Sequence, residues 1–439
     1  MRILIITALY HPSKSPNVYR WSAIAEYWVQ QGHEVHVLCT SLLGEPKSRV
    51  CQGVQVHRAG QHTLLDWALS VWGNGQVRGR VGGLQPVAHS RARKCLEWLI
   101  DRTWRRLYWP DGAILWYGPG KRRVRQLLSA HSFDAMISVG LPFTAHRITV
   151  AGKQAFPKVH WLVDIEDPFA ISKEFFVNNF QLYRRRNFRA EADILAKADA
   201  VSFTVLAAQE AYEQHFSEQC AKFAVTPPLF NLRAPAITSN APLPYFESNH
   251  LHLSYFGSFY QGVRTPDTFL KLLAQSLRQA PALAQRLRVH FFGEINGPFA
   301  ERFQQFPELN SVVQLHGLIS RADVSLAIEQ TDVLLNISNT TTYHLPSKSA
   351  DYLMSRKPIV NIYSAEADTF KAFFEGYPLI MHIRLLGAKE AEQEAVRFID
   401  FLEHAVGKRV DQEVVERLGR PYRLERIAER YMMLLQKTP

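Results

Sequence analysis

Residues 333–362 read VLLNISNTTTYHLPSKSADYLMSRKPIVNI. The opening 333–337 has the length and apolar character of a buried strand. A polar loop containing Pro346 follows, then a helix over 347–355 and a second apolar strand over 358–362. Strand, helix and strand in so short a span is a crossover unit, the connection that parallel strands require.

Working outward, the same alternation fills the second half of the chain: strand 251–256 closed by Gly257, helix 265–279, strand 288–292 closed by Gly293, strand 312–316 closed by Gly317 and helix 320–331. It also fills the first half. There, strand 3–7 precedes helix 19–31, which Gly32 terminates, and strand 34–39. Later come strands 135–139 and 159–163 around helix 143–154, then helix 183–198, strand 200–204, helix 206–216 and strand 221–225. The fold class is therefore α/β, with two Rossmann-like, doubly wound domains at 1–230 and 251–405 facing across a cleft. A linker rich in Pro, Asn, Ser and Ala occupies 231–250, and helices at 406–439 are placed to cross back to the first domain. Glycines and polar loops stand at the carboxyl ends of the strands, where doubly wound sheets bind ligands.

Composition narrows the class further. At 439 residues, 47% hydrophobic and 21% charged, the chain is globular and long enough for two cores. Its four cysteines show no paired spacing and its 17 histidines form no HExxH motif, so neither a disulfide framework nor a metal site is expected. No run of roughly 18 apolar residues is present, so a spanning helix is not expected. A cytoplasmic protein, peripheral to the inner face of the membrane, fits these features. The net charge of +11 is concentrated: residues 78–125 hold twelve Lys/Arg against Glu97, Asp101 and Asp111.

Five blocks, GHEV at 32–35, SVGLPFTAH at 138–146, WLVDIEDPF at 161–169, YFGSFYQGVRTP at 255–266 and LPSKSADYLMSRKPIV at 345–360, occur in the order used by family-four glycosyltransferases of the GT-B fold, which the chain resembles over most of its length. Gly32-His33-Glu34-Val35 is similar to the family's GHEV block, and SVGLPFTAH at 138–146 to a loop after a strand. WLVDIEDPF at 161–169 is similar to DxRDPW, YFGSFYQGVRTP at 255–266 to GSxYxGxRxP, and LPSKSADYLMSRKPIV at 345–360 to LPSKxxEYLAxGKPxI. The resemblance implies a retaining, metal-independent, hexosyl-type transfer from a nucleotide sugar, a UDP-sugar foremost, with no cofactor. A diphosphate calls for backbone N–H groups and nearby cations. Gly257, Ser258, Gly293, Arg264 and Lys348 supply these, and by resemblance Arg264 and Lys348 face the donor diphosphate. On the residues alone, both could equally be solvated surface cations.

The chain departs from the family at three places. Where the family carries two glutamates eight residues apart, this chain has Tyr343 and Asp351. The resemblance puts Asp351 at the donor ribose and Tyr343 near the transferred sugar, among the candidate catalytic residues with Asp164 and His146. Glu166 stands where the family pattern has arginine. It is assigned with Arg20 to the acceptor side, although Asp164 could simply cap the turn before Pro168. The first loop, residues 11–17, contains no glycine.

Six of the nine tryptophans lie within 64–116, and residues 64–125 match no family block. Apolar residues at helical spacing along 91–108, with Trp98, Trp104, Arg105 and Arg106 among cations, suit the headgroup layer of an anionic membrane. That placement would hold the enzyme beside a lipid-linked, polyprenyl-type glycan acceptor. A helical hairpin packed on the first domain is the plainer alternative. A nucleic-acid partner is not expected, because no RNA-binding motif accompanies the charge. Two other functions remain open on the residues: a GT-B nucleotide-sugar epimerase, and a catalytically silent GT-B scaffold.

Overall fold

The computed structural model describes all residues except 14, 43, 62–101, 173–175, 231–242, 296, 385–387 and 437–439. The chain divides into two compact units, one comprising Met1–Leu229 with Leu424–Pro439, the other Phe230–Arg423. Most of the tryptophan-rich stretch, Trp98 included, lies outside the described residues.

The first unit is built on an eight-stranded sheet of β1 (Arg2–Ile6), β2 (Glu34–Cys39), β3 (Ser48–Cys51), β4 (Val54–Arg58), β5 (Ala135–Gly140), β6 (His160–Ile165), β7 (Ala200–Phe203) and β8 (Phe223–Val225). The order is β3-β4-β2-β1-β5-β6-β7-β8, parallel throughout except for the antiparallel β3/β4 pair. Central strands covered on both faces must be apolar along their whole length, and Ile3, Leu4, Ile5 and Ile6 are all fully buried. The β3/β4 hairpin was not expected. It turns on Gln52 and Gly53, both at positive φ (51° and 81°), the backbone of a two-residue I′ turn.

The helix Pro16–Gln30 starts where Ser15 Oγ accepts from Val18 N at 3.2 Å and Pro16 occupies the first turn. Its buried face, with Trp21, Ile24 and Trp28, meets the C-terminal helix Leu424–Gln436, whose Ile427, Ala428 and Tyr431 are fully buried in the same core. Trp28 Nε1 donates to Ala428 O at 3.3 Å. Between β4 and β5, helix Ile114–Ala130 packs on helix Thr144–Ala155. A Cβ on Gly120 would meet Ile148 Cδ1 at 2.5 Å, so a side chain there would push the two helices apart. Trp116 and Val124 are fully buried. Residues 114–125, expected as the end of an insertion, are thus part of the layer covering the sheet, because the apolar residues among their arginines fall on one helix face.

The second unit carries six parallel strands, β9 (Leu251–Phe256), β10 (Leu287–Phe292), β11 (Val313–Gly317), β12 (Val333–Ile337), β13 (Ile359–Ile362) and β14 (Ile380–Ile383). Their order is β11-β10-β9-β12-β13-β14, so the chain reverses direction between β9 and β12. A doubly wound sheet binds its ligand beyond the carboxyl ends of the two strands flanking that reversal. Across β9, β10 and β11 runs a histidine ladder, His252 to His290 and His290 to His316, each ring nitrogen pair 2.9 Å apart. Burial pushes His290 down to about 3 and His316 to about 4, so both rings are neutral members of the packing.

Candidate functional site

The carboxyl ends of β9 and β10 end in glycines held against each other. Gly257 (φ +147°) donates to Phe292 O and Gly293 (φ +144°) to Gly317 O, both at 2.8 Å. A Cβ on Gly293 would lie 2.1 Å from Gly257 O, so this approach admits glycine alone. Ser258 follows. Its Oγ accepts from Glu294 N at 3.3 Å and its carbonyl from Arg264 Nε at 3.1 Å. Tyr260 and Arg264 exchange backbone hydrogen bonds of 3.0 and 2.9 Å, closing a tight turn that presents Arg264. That turn is tied to the loop after β12, since Thr340 N donates to Val263 O at 2.7 Å and Thr340 Oγ1 to Gly262 O at 3.0 Å. The loops on either side of the chain reversal are therefore one structure.

Lys348 opens the helix Lys348–Ser355 beside this structure. Its ammonium sits 4.2 Å from the Tyr255 ring centroid and 5.6 Å from that of Tyr352. The side chain is half-buried overall, but Nζ itself is buried and meets no hydrogen-bond acceptor among the described residues. Burial, and then the neighbouring Arg264 charge, hold its pKa well below the ordinary lysine value. Among the described residues neither cation has a carboxylate within ion-pair distance. Two like charges gathered in a shielded place are costly until an anion joins them.

Around them stand further buried polar atoms without hydrogen-bond partners: Asn336 Oδ1, Asn339 Oδ1, Thr341 Oγ1 and Ser349 Oγ. Asn336 Nδ2 donates to Asn361 Oδ1 at 2.7 Å and to Ser338 Oγ at 3.0 Å, while Asn361 Nδ2 donates to Asp368 Oδ1 at 3.2 Å. Sequence reading missed this network. Its visible signal was an asparagine inside each of the strands VLLNI and IVNI, which lie opposite one another in register. Asp351 accepts from Arg321 Nη2 at 2.7 Å and so already holds a cation. Tyr343 is buried in the loop, and the carbonyl of the next residue, His344, accepts from Thr369 Oγ1 at 2.6 Å.

The acceptor-side candidates of the first unit turn inward. Arg20 is 6% exposed, and its Nη2 donates to Thr226 O, Pro227 O and, at 2.5 Å, Tyr431 Oη. Tyr431 Oη donates in turn to Asp164 Oδ1 at 2.6 Å, and Arg20 Nη1 lies 3.6 Å from Glu166 Oε1. Burial, opposed by Arg20, raises Asp164 and pushes Glu166 up to about 8. The cluster anchors the C-terminal helix, which is why these charges can be buried at all. His146 lies against Gly140, where a Cβ would come within 2.4 Å of its Nε2. Its Nδ1 is 2.7 Å from Ser138 Oγ, which also accepts from Trp161 Nε1 at 2.9 Å. Burial holds His146 at about 3, so the ring is neutral near neutral pH. Trp104, half-buried, and exposed Arg106 share the short helix Trp104–Leu107, which also contains Arg105. Among the described residues, no group of three or more His, Cys, Asp or Glu could hold a metal ion, and no helix is long and apolar enough to cross a membrane.

No model of a protein family and no curated protein sequence matches this chain. Solved structures do. A UDP-forming α,α-trehalose-phosphate synthase from Burkholderia xenovorans is similar with a TM-score of 0.62 at 11% identity, over 99% of this chain and 98% of that one. The sucrose-phosphate synthase of Thermosynechococcus elongatus is similar at 0.59 and 12% identity, over 99% and 98%. Anabaena HepE, solved with UDP and glucose, is similar at 0.53 and 13%, over 99% of both chains. These likenesses establish the fold: two Rossmann-like domains of the GT-B kind.

Proposed function

We propose that the protein is a glycosyltransferase that moves a sugar from a nucleotide diphosphate, a UDP-sugar, to a lipid-linked glycan acceptor at a membrane surface. The observation that carries this is the buried ammonium of Lys348 beside Arg264, with no carboxylate at ion-pair distance from either among the described residues, at the chain reversal of the second unit. A diphosphate supplies the missing charge. That structures of this fold include one solved with UDP and one of a UDP-forming enzyme supports the choice of donor.

The chemistry follows from charge. As the bond between the anomeric carbon and the diphosphate breaks, negative charge grows on the leaving phosphate oxygen. Arg264 and Lys348 are in place before the reaction and stabilise that charge without reorganising. Shielding from water strengthens both interactions. Such a site needs no protein nucleophile and no metal, which fits transfer with retention through attack on the face the diphosphate leaves. Asp351 at the ribose, and the side chains of Asn339 and Thr341 at the sugar, complete the proposed donor contacts, while fully buried Asn336 holds their loop through Asn361 and Ser338. His146, in the first unit, is neutral and pressed on Gly140, so it is not suited to carry a proton as imidazolium.

The test is a binding and hydrolysis screen of nucleotide sugars with the full chain, beside Arg264→Ala and Lys348→Ala. The expected result is one donor bound and slowly hydrolysed, with affinity or turnover falling about tenfold to hundredfold in each variant. Failure to bind any nucleotide sugar would remove the enzyme and leave a silent GT-B scaffold.

A further inference from the structure

The first unit exposes large apolar side chains at Leu107 (66%), Phe176 (52%) and Leu182 (61%). Each alone would be ordinary. These three belong to one neighbourhood. Tyr183 Oη donates to Leu107 O at 2.7 Å, which sets the Trp104–Leu107 helix against the start of helix Phe180–Lys197, and the Phe176 and Phe180 rings lie 4.7 Å apart at that start. Exposed Arg106, Arg184, Arg185, Arg186 and Arg189 accompany them, and no Asp or Glu occurs in 102–110 or 176–190. Arg184 and Arg185 make no ion pair or hydrogen bond with other described residues.

The patch has a firm base. The Trp109 ring centroid lies 3.7 Å from the Arg186 guanidinium carbon and 4.6 Å from that of Arg147. Trp109 Nε1 donates to buried Asn187 Oδ1 at 2.9 Å, and Asn178 Nδ2 to Pro110 O at 2.6 Å. The two segments are thus pinned to each other, and the cations and apolar tips project from a preset surface.

We infer that this surface docks on an anionic lipid bilayer. The inference deepens the proposed membrane-held acceptor, rests on that reading for its purpose, and assigns the contact to described residues of the first unit. Aliphatic tips enter the boundary between headgroups and acyl chains, while arginines remain among lipid phosphates. Charge complementarity selects an anionic surface. A nucleic acid would also meet the arginines and the Phe176 ring, but it would leave the aliphatic tips of Leu107 and Leu182 in water, whereas a bilayer covers them.

The experiment is sedimentation of the full chain with vesicles of phosphatidylglycerol and phosphatidylcholine, and with phosphatidylcholine alone. Arg184→Glu/Arg185→Glu and Leu107→Ser/Leu182→Ser are run alongside, with thermal melts to verify folding. The native chain is expected to partition onto the anionic vesicles, and the charge-reversed pair to lose about tenfold or more of that partitioning. Loss of the two leucines should weaken it by a similar factor of about ten. Unchanged partitioning of the folded, charge-reversed pair would overturn the inference, as would binding of an RNA oligonucleotide without binding of vesicles. Donor binding in solution separates the two proposals. Vesicle binding without any donor would remove the transferase and leave this surface, whereas donor binding retained in a chain that ignores vesicles would do the reverse.

Discussion

Each unit buries charge near its strand ends, and the two do so in opposite ways. In the first, Arg20 lies between Glu166 and the Tyr431–Asp164 pair, so a cation and carboxylates offset one another. In the second, Arg264 and Lys348 are gathered with no carboxylate at ion-pair distance among the described residues. The first cluster joins one cation to two carboxyl groups, leaves Asp164 Oδ2 and both Glu166 oxygens without hydrogen-bond partners among the described residues, and ties one helix to the rest. The second leaves its cations without a carboxylate at ion-pair distance, a cost that the proposed diphosphate would offset. Burial alone would have made Asp164 and Glu166 the more prominent site. The sign of the neighbours, and not the size of the pKa shift, distinguishes the first cluster from the proposed donor site.

That contrast can be broken in graded ways. The largest effect is expected from Arg20→Met, which strands two buried carboxyl groups and should cost about 3–5 kcal/mol in urea unfolding. A variant as stable as the native protein would mean that the first cluster is not structural. Gly293→Ala comes next. A methyl group at φ +144°, directed at Gly257 O, should cost about 1–3 kcal/mol and weaken donor binding by displacing the Ser258 turn. Full stability and affinity in that variant would show that the glycine contact is incidental.

The contrast also has a pH dependence. Glu166 is raised from its ordinary 4.5 to about 8, so the folded state favours its protonated form. Its contribution to stability is fully present below about pH 4.5 and is lost as pH rises through about 8. Glu166→Gln should flatten the decline over that window. Some slope should remain, because burial also raises Glu191, to about 7. An identical pH profile in the variant would mean that Glu166 stays ionised beside Arg20.

Local patterns were legible and distant pairings were not. Strand, glycine and helix recur within short windows, so β9 with Gly257 and the helix opened by Lys348 could be read directly from the sequence. The β3/β4 hairpin escaped because its turn is Gln-Gly, which lacks the usual Asn or Asp signal, and its first strand spans only Ser48–Cys51. β14, four residues long, escaped for its brevity. Tyr431 and Asp164 stand 267 positions apart, and no sequence window holds both. The burial of Asp164 against Tyr431 therefore could not be read from the sequence, in which Asp164 and Glu166 stand only as acids after a strand. The cations of the second unit were legible as a pair, but that no carboxylate comes to ion-pair distance of them among the described residues is a property of the fold.

The most direct measurement is a calorimetric titration of UDP into Lys348→Met, paired with urea unfolding of the same unliganded variant. Removing an unpaired buried ammonium should leave stability unchanged or raise it by about 1–3 kcal/mol, while UDP affinity falls at least about tenfold. A variant that binds UDP as the native protein does, or that loses stability and keeps its affinity, would show that Lys348 serves the fold and not an anion.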